Sequence, residues 1–473
     1  MTIVAAPAVV VPRGQAEPET KPATDWVATL ILYTPLIGVT FLAKFAFVIG
    51  GSEIIMGVPM ILGAVLLGIL TGRLKPHPVR MAAYLALVAV MTGLEVFAVT
   101  SFITSSLTLV LAIPLAHAFT LNGAGVDSVS HMRRIRDLSL FLCLLGIAQY
   151  LAQFVVGWRL AFPIENFTPS GFISATKTYN CVIPIRYGSS TFKSNGVFLL
   201  EPSYYSQMLA LGFALEASGP RRLVRLGCFC AGFVVAYSGT GFLMLTPALA
   251  VLVIAEKRYE ILAFLLIIAA AGAAFSKPLG LDLFLERAGE FNSTKSSGYM
   301  RYVGGFHLFE QYLWPYPKRA LFGMGSGMMF RSTPWPMFYV AETGWVKMLI
   351  EFGLVGFITY FGFLFYSAFR STQALAVRAC ISVTLILSGI LDPWSHALIL
   401  TLLVWMPPAK AAAPVVQPEL QRQPQPAVQA AAQTVQAPPV RSTQPGTGLA
   451  TRPKPNPAAD RRHRSTMRGQ GPR

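Results

Sequence analysis

The sequence predicts an all-α integral membrane protein, and three observations predict it. First, the chain has 473 residues of which 54% are hydrophobic and only 12% charged, with a mean hydropathy of +0.55. A soluble fold cannot hide that much apolar surface, so most of it must face lipid or other buried helices. Second, about twelve apolar runs can be drawn, each near the roughly 20 residues that a helix needs to cross a bilayer. Third, the basic residues between those runs cluster in short loops, as membrane topology requires. The formal net charge of +17 is therefore read as topology and not as a nucleic-acid surface.

The runs lie at about 26–49, 54–71, 81–99, 101–121, 137–158, 199–218, 224–239, 241–255, 260–277, 344–368, 377–391 and 393–407. Lipid offers no partner for backbone N–H and C=O groups, so each run is expected as a helix. Met1–Asp25 has no basic stretch leading into a cleavable apolar segment and reads as a short cytoplasmic tail. Five basic clusters follow: Arg73, Lys75 and Arg80; Arg133, Arg134 and Arg136; Arg221, Arg222 and Arg225; Lys257 and Arg258; Arg370 and Arg378. With twelve spans and a cytoplasmic N-terminus, every cluster lands inside. Both termini are then cytoplasmic, and two long segments, about 159–199 and 277–343, face outward. Residues 26–407 form the transmembrane domain. Residues 408–473 are rich in Pro, Gln, Ala and Arg and are expected to be disordered. The tail's basic end, Arg461 to Arg473, either touches anionic headgroups or is simply solvated. The five cysteines show no zinc spacing and no disulfide framework.

The second outward segment is the chemically richest part of the chain. It carries Arg301, His307, Arg331 and Glu342, with Trp314, Tyr316, Trp335 and Tyr339 interleaved with prolines. Such a segment at a membrane surface suits a lipid bearing phosphate and sugar better than a simple pore. The rings either stack on sugars or anchor in the headgroup layer.

Two stretches resemble the O-antigen ligase and polysaccharide polymerase superfamily. One is Lys193-Ser-Asn-Gly196-Val-Phe-Leu-Leu-Glu201-Pro202-Ser203, followed by Ser238-Gly-Thr-Gly241. The other is Ser297-Gly-Tyr-Met-Arg301, then Leu321-Phe-Gly323-Met-Gly325-Ser-Gly327, then Glu342-Thr-Gly344-Trp345 and Leu349 to Gly356. The resemblance covers about 193–369. It implies transfer of an oligosaccharide from a polyprenyl diphosphate to an acceptor hydroxyl, at the periplasmic face of the bacterial inner membrane. The bilayer and the polyprenyl-diphosphate-linked oligosaccharide are then the partners, with a chain-length regulator and export machinery as further ones. The donor is already activated by its diphosphate, so no cofactor, nucleotide or metal is called for.

Within that resemblance each residue has a functional and a plainer role. Arg301 is the first choice to clamp the diphosphate, because a guanidinium binds phosphate oxygens bidentately; its plainer role is an ordinary surface cation. Lys193 stands where many members carry Arg and supplies at most a point charge. Arg331 and Arg287 fit structural roles better. The ligases of this superfamily place a His where Ala341-Glu342-Thr343 stands here, which favours a polymerase. Glu342 then takes the acceptor's proton, or satisfies N–H groups at a helix start. His307 is a second candidate base, and a surface His otherwise. Glu201 binds sugar hydroxyls, or pairs with Lys193 or Arg301 to hold the loop. Lys347 and Glu351, four apart on one helix face, contact substrate or pair with each other. Trp335 offers a stacking surface. Gly323, Gly325 and Gly327 form a tight turn or present N–H groups to an anion. Lys44, Glu95 and Asp392 are expected to reach water at span ends. The rival readings are a glycan ligase, a transporter or flippase of the same lipid, and a non-catalytic assembly partner.

Overall fold

The computed structural model describes residues 25–49, 52–97, 102–122, 126–169, 171–173, 181–186, 188–219, 222–274, 292, 296–329, 343–390 and 392–406. These belong to the first of two units, Met1–Lys410 and Ala411–Arg473. The expectations for the N-terminal tail and for the tail 408–473 fall outside the described residues.

In chain order the elements are α1 (Trp26–Thr40), β1 (Ala46–Ile49), β2 (Ser52–Ile55), α2 (Gly57–Leu70), β3 (Leu74–Pro76), α3 (Pro78–Phe97), α4 (Thr104–Leu115) and β4 (Phe119–Leu121). Then come α5 (Ser128–Val156), α6 (Trp158–Ala161), α7 (Pro163–Phe167), α8 (Pro202–Ser218), α9 (Leu223–Ala236), α10 (Thr240–Ala250) and α11 (Tyr259–Ala274). The last are α12 (Ser297–Tyr302), α13 (Gly304–Tyr312), α14 (Pro317–Phe322), α15 (Gly344–Phe369), α16 (Leu375–Ser382), α17 (Thr384–Leu387) and α18 (Pro393–Ile399). A π-helical turn prolongs α10 over Val251–Ala255, and another prolongs α18 over Leu400–Val404.

The chain is mostly helical, and three helices, α3, α5 and α15, are long and apolar enough to cross a membrane. Shorter apolar helices occupy most of the other runs. Many carry large apolar side chains on their outer surface, such as Leu62, Leu66, Phe154 and Val155, as helices facing lipid do. α8 is the hub: Leu209, Ala210, Leu211, Phe213 and Ala214 are all fully buried, and it packs against α5, α9, α10 and α16.

The structure corrects the expectation of helix throughout. The run expected as one helix over 26–49 stops at Thr40, and β1 pairs antiparallel with β2, Ala46 facing Ile55. The physical reason is local: Phe47-Val-Ile and Ile54-Ile55 are strand formers on either side of Gly50-Gly51, a hairpin signal. β3 pairs with β4 in a second small ribbon. α5 begins nine residues earlier than expected, where Asp127 caps it by accepting from Val129 N at 3.0 Å and Ser130 N at 3.1 Å.

The basic clusters converge on one pole of the bundle. Arg136 and Arg225 share the buried Glu216 carboxylate at 3.3 and 3.5 Å, joining the starts of α5 and α9 to the end of α8. Arg258 donates to the Ala217 and Ser218 carbonyls at that same end. Arg73 pairs with Asp25 at 3.1 Å, Arg80 donates to the Val404 carbonyl at 3.1 Å, and Gln373 donates to Ser128 at 3.0 Å. The charge of Arg370 acts on His77 there, which burial and the neighbouring Arg80 already hold below its ordinary pKa. Lys193, Glu201, Arg301, Lys347 and Glu351 sit on elements that meet at the opposite pole.

Candidate active site at the loop-bearing pole

Glu201 precedes α8 with an extended backbone, and Pro202 opens the helix, a position where proline's missing N–H costs nothing. The Ser203 hydroxyl donates to Glu201 Oε2 at 2.9 Å. Arg301 comes from α12, whose first turn is capped by Ser296 Oγ accepting from Tyr299 N at 3.0 Å. That helix sets Arg301 Nη2 3.8 Å from Glu201 Oε2. Arg301 is one of the partners expected for Glu201, and the structure brings the two together. The contact is charge against charge, looser than a forked hydrogen bond, and the guanidinium stays 30% exposed. Beside it, burial pushes the Tyr302 phenol above its ordinary pKa, so it stays protonated at neutral pH.

Asp392 caps α18 at the same pole. Its Oδ1 accepts from Trp394 N and from the Tyr204 hydroxyl, both at 3.2 Å, and it lies near enough to Glu201 for the two charges to interact. The Ser388 side chain also bonds this carboxylate, whose Oδ2 is buried; Trp394 Nε1 is buried with no hydrogen-bond partner. Asp392 lines a small, half-open cleft walled mainly by apolar groups of Val39, Ile55, Leu200 and Trp394. Asp392 was expected to reach water; it is only 8% exposed, because Tyr204 and Trp394 close over it.

Lys347 and Glu351 pair with each other at 3.1 Å, and Glu351 is fully buried. Directly against them lies the glycine-rich turn. Gly323, Gly325 and Gly327 all have positive φ, and the turn's amides are taken up internally. Met324 N donates to the Ile350 carbonyl at 3.0 Å and Gly325 N to the Glu351 carbonyl at 2.9 Å. Ser326 N donates to the Glu95 carboxylate at 3.2 Å, and Met329 N to Glu351 Oε1 at 3.4 Å. The anions the turn holds are therefore the protein's own carboxylates. α15 breaks at Gly353, φ +63°, and a Cβ there would lie 2.5 Å from the Leu321 backbone. The turn thus repairs the backbone of a broken helix.

The Lys193–Ser203 stretch is held from below. Lys193 itself is buried, its N–H donating to the Ile183 carbonyl at 2.9 Å. Gln149 and Gln153, one turn apart on α5, clamp it: Gln153 exchanges two hydrogen bonds with the Phe192 backbone, and Gln149 Oε1 accepts from Ser194 Oγ, Asn195 N and Val197 N. Lys44, expected at water, is fully buried and pairs with Glu165 at 2.5 Å. The expectation fails because α1 ends at Thr40 and turns the next residues inward beneath this stretch.

His307 lies at the surface, 58% exposed, with Nδ1 3.4 Å from Glu310 and its ring stacked on Tyr299. Trp314 and Tyr316 are exposed, and Arg319 stacks on Tyr316. Glu342, Arg331 and Trp335, with Arg287 and Tyr339, lie outside the described residues.

No family model matches the chain, and no curated protein matches it in sequence. The site is thus read from its own geometry. Sequence reasoning passed over the Lys44–Glu165–Asn195–Gln149 network and Asp392. The signal was present in both cases, as polar residues inside or bordering apolar runs, where an unsatisfied group is costly.

Proposed function

We propose that this protein is a multi-pass membrane glycosyltransferase that polymerises oligosaccharide units carried on a polyprenyl diphosphate, at the periplasmic face of the bacterial inner membrane. In this reading the helices make twelve crossings, the basic pole is cytoplasmic by the positive-inside rule, and both termini lie on that side. The observation that carries the reading is the meeting of Arg301, from the second long segment, with Glu201 at the mouth of α8, 3.8 Å apart. Asp392, a buried carboxylate whose charge interacts with that of Glu201, stands beside them.

The chemistry divides among these groups. Arg301 faces the diphosphate, and its fork of donors stabilises the charge that grows as the anomeric carbon–oxygen bond breaks. The acceptor hydroxyl oxygen attacks the anomeric carbon, and the lipid diphosphate leaves with the bonding electron pair. The hydroxyl proton passes to a carboxylate, which we assign to Asp392. Glu201 holds Arg301 in place while the donor is absent, and binds sugar hydroxyls when Arg301 turns to phosphate.

The test is reconstitution of the purified chain in vesicles with a polyprenyl-diphosphate oligosaccharide, following lipid diphosphate release and product length. A ladder of longer lipid-linked glycans, lost in Arg301→Ala, is the expected result. Release of glycan onto a different acceptor without a ladder would make it a ligase. Intact substrate crossing the bilayer with no product would overturn the assignment in favour of a transporter.

A further inference from the structure

Lys44 is buried beneath the candidate site and touches none of its reacting groups. Its ammonium bridges two groups distant in sequence: the Glu165 carboxylate on α7, at 2.5 Å, and the Val197 carbonyl. Asn195 Nδ2 donates to that same Glu165 oxygen at 2.8 Å and to the Cys181 carbonyl at 2.9 Å. Asn195 Oδ1 in turn accepts from Gln149 Nε2 at 3.0 Å and from Val197 N at 3.1 Å. Both backbone polar groups of Val197 are thereby fixed by buried side chains.

Val197 needs that hold. Its φ is +67°, a left-handed conformation that a β-branched residue adopts only when its surroundings impose it. The turn it closes lies between Lys193 and Glu201, and its exit packs Leu200 against Ala43, the residue before Lys44. A buried ammonium is expensive to keep and is retained where it fixes one arrangement. Glu165 belongs to the first outward segment, so one cation ties that segment, the end of α1 and the motif stretch together.

We propose that Lys44 is a positioning residue: through the Val197 carbonyl and Glu165 it holds the strained turn that sets Lys193 and Glu201 in the site. Its consequence for turnover rests on the glycosyl-transfer reading; its hold on the turn does not. The experiment therefore has two arms, both on the full chain in vesicles. In the first, the thiol introduced by Lys193→Cys, in a Cys181→Ala background, is labelled with a membrane-impermeant maleimide. Lys193 is only 5% exposed, so labelling is slow, and adding Lys44→Met is expected to speed it about tenfold by opening the turn. In the second, kcat and KM for lipid-linked oligosaccharide are measured in Lys44→Met with Lys193 intact. The expected result is a kcat about tenfold lower or less, with KM nearly unchanged. The exchange Lys44→Glu with Glu165→Lys separates positioning from a plain ion pair. It restores the pair but cannot donate to the Val197 carbonyl, so melting temperature recovers while labelling stays fast and kcat stays low.

Unchanged labelling in Lys44→Met overturns the proposal, as does full recovery of kcat in the exchanged pair. Fast labelling in a protein whose wild type forms no product upholds the hold on the turn and removes the transferase reading instead.

Discussion

Ser326 donates its backbone N–H to the Glu95 carboxylate at 3.2 Å, across 231 residues of sequence. Its hydroxyl donates to the Ile103 carbonyl and its own carbonyl accepts from Ile103 N, so the glycine-rich turn is fastened to the end of α3 and the start of α4. Removing the carboxylate leaves a buried donor unpaired, which costs about 1–3 kcal/mol. Glu95→Ala is expected to lower stability by that amount, whereas Glu95→Gln, which still accepts, loses less. Thermal melting in detergent distinguishes them, and equal losses would mean that the carboxylate acts by packing and not as an acceptor.

The meeting of Gly323 with the break in α15 permits no side chain. A Cβ on Gly323 would lie 2.2 Å from the Glu351 carbonyl oxygen, and Gly353 has φ +63° and ψ −167°. Gly353→Ala adds left-handed strain to a backbone collision, together about 3 kcal/mol. A variant that melts within a degree or two of wild type would show that α15 can straighten there.

Lys347 and Glu351 form a buried pair, so taking away one partner strands the other. Lys347→Met leaves the Glu351 carboxylate without its cation and is expected to cost about 3–5 kcal/mol. Glu351→Gln is milder, because a neutral amide still accepts from Met329 N. Measured chemical stabilities in the reverse order would contradict the assignment of Glu351 as the group that needs compensation.

How much of this was legible in the sequence follows from which physical rule governed each part. Apolar runs and basic clusters located the helices and their common pole, because hydropathy and charge act locally along the chain. The i, i+4 spacing of Lys347 and Glu351 gave their pairing for the same reason. Arg301 was an open pairing for Glu201, and the fold brings the two together. The hairpin after α1 was hidden because Phe47-Val-Ile is as apolar as the helix before it; only Gly50-Gly51 marked the turn. Lys44, Glu95 and Asp392 are all buried and not wet, since distance from a span's end says nothing about what covers a side chain. The glycine turn was ambiguous, because its anions, Glu95 and Glu351, come from elsewhere in the chain.

Arg301 tests the leaving-group assignment without disturbing the core, being 30% exposed. Arg301→Lys keeps the charge beside Glu201 but loses the planar fork that matches phosphate oxygens. Product formation is expected to fall about tenfold to a hundredfold in Arg301→Lys and further in Arg301→Ala, as removal of an electrostatic donor does. Equal activity of Arg301→Lys and wild type would reduce Arg301 to a general positive charge at the surface.

Asp392 separates structure from chemistry in a single substitution. Asn at this position still accepts from Trp394 N and from the Tyr204 hydroxyl, the two contacts that cap α18 and seat Tyr204. Asparagine is also among the best capping residues, so the fold is expected to survive Asp392→Asn with little change in melting temperature. What the amide cannot do is take a proton from an acceptor hydroxyl. Chain extension in Asp392→Asn is therefore expected to drop by about two to four orders of magnitude while lipid-linked donor still binds. If Asp392→Asn extends chains within about threefold of wild type, far inside that range, the proton goes elsewhere. Glu342, just ahead of α15 in sequence, is then the carboxylate to substitute next.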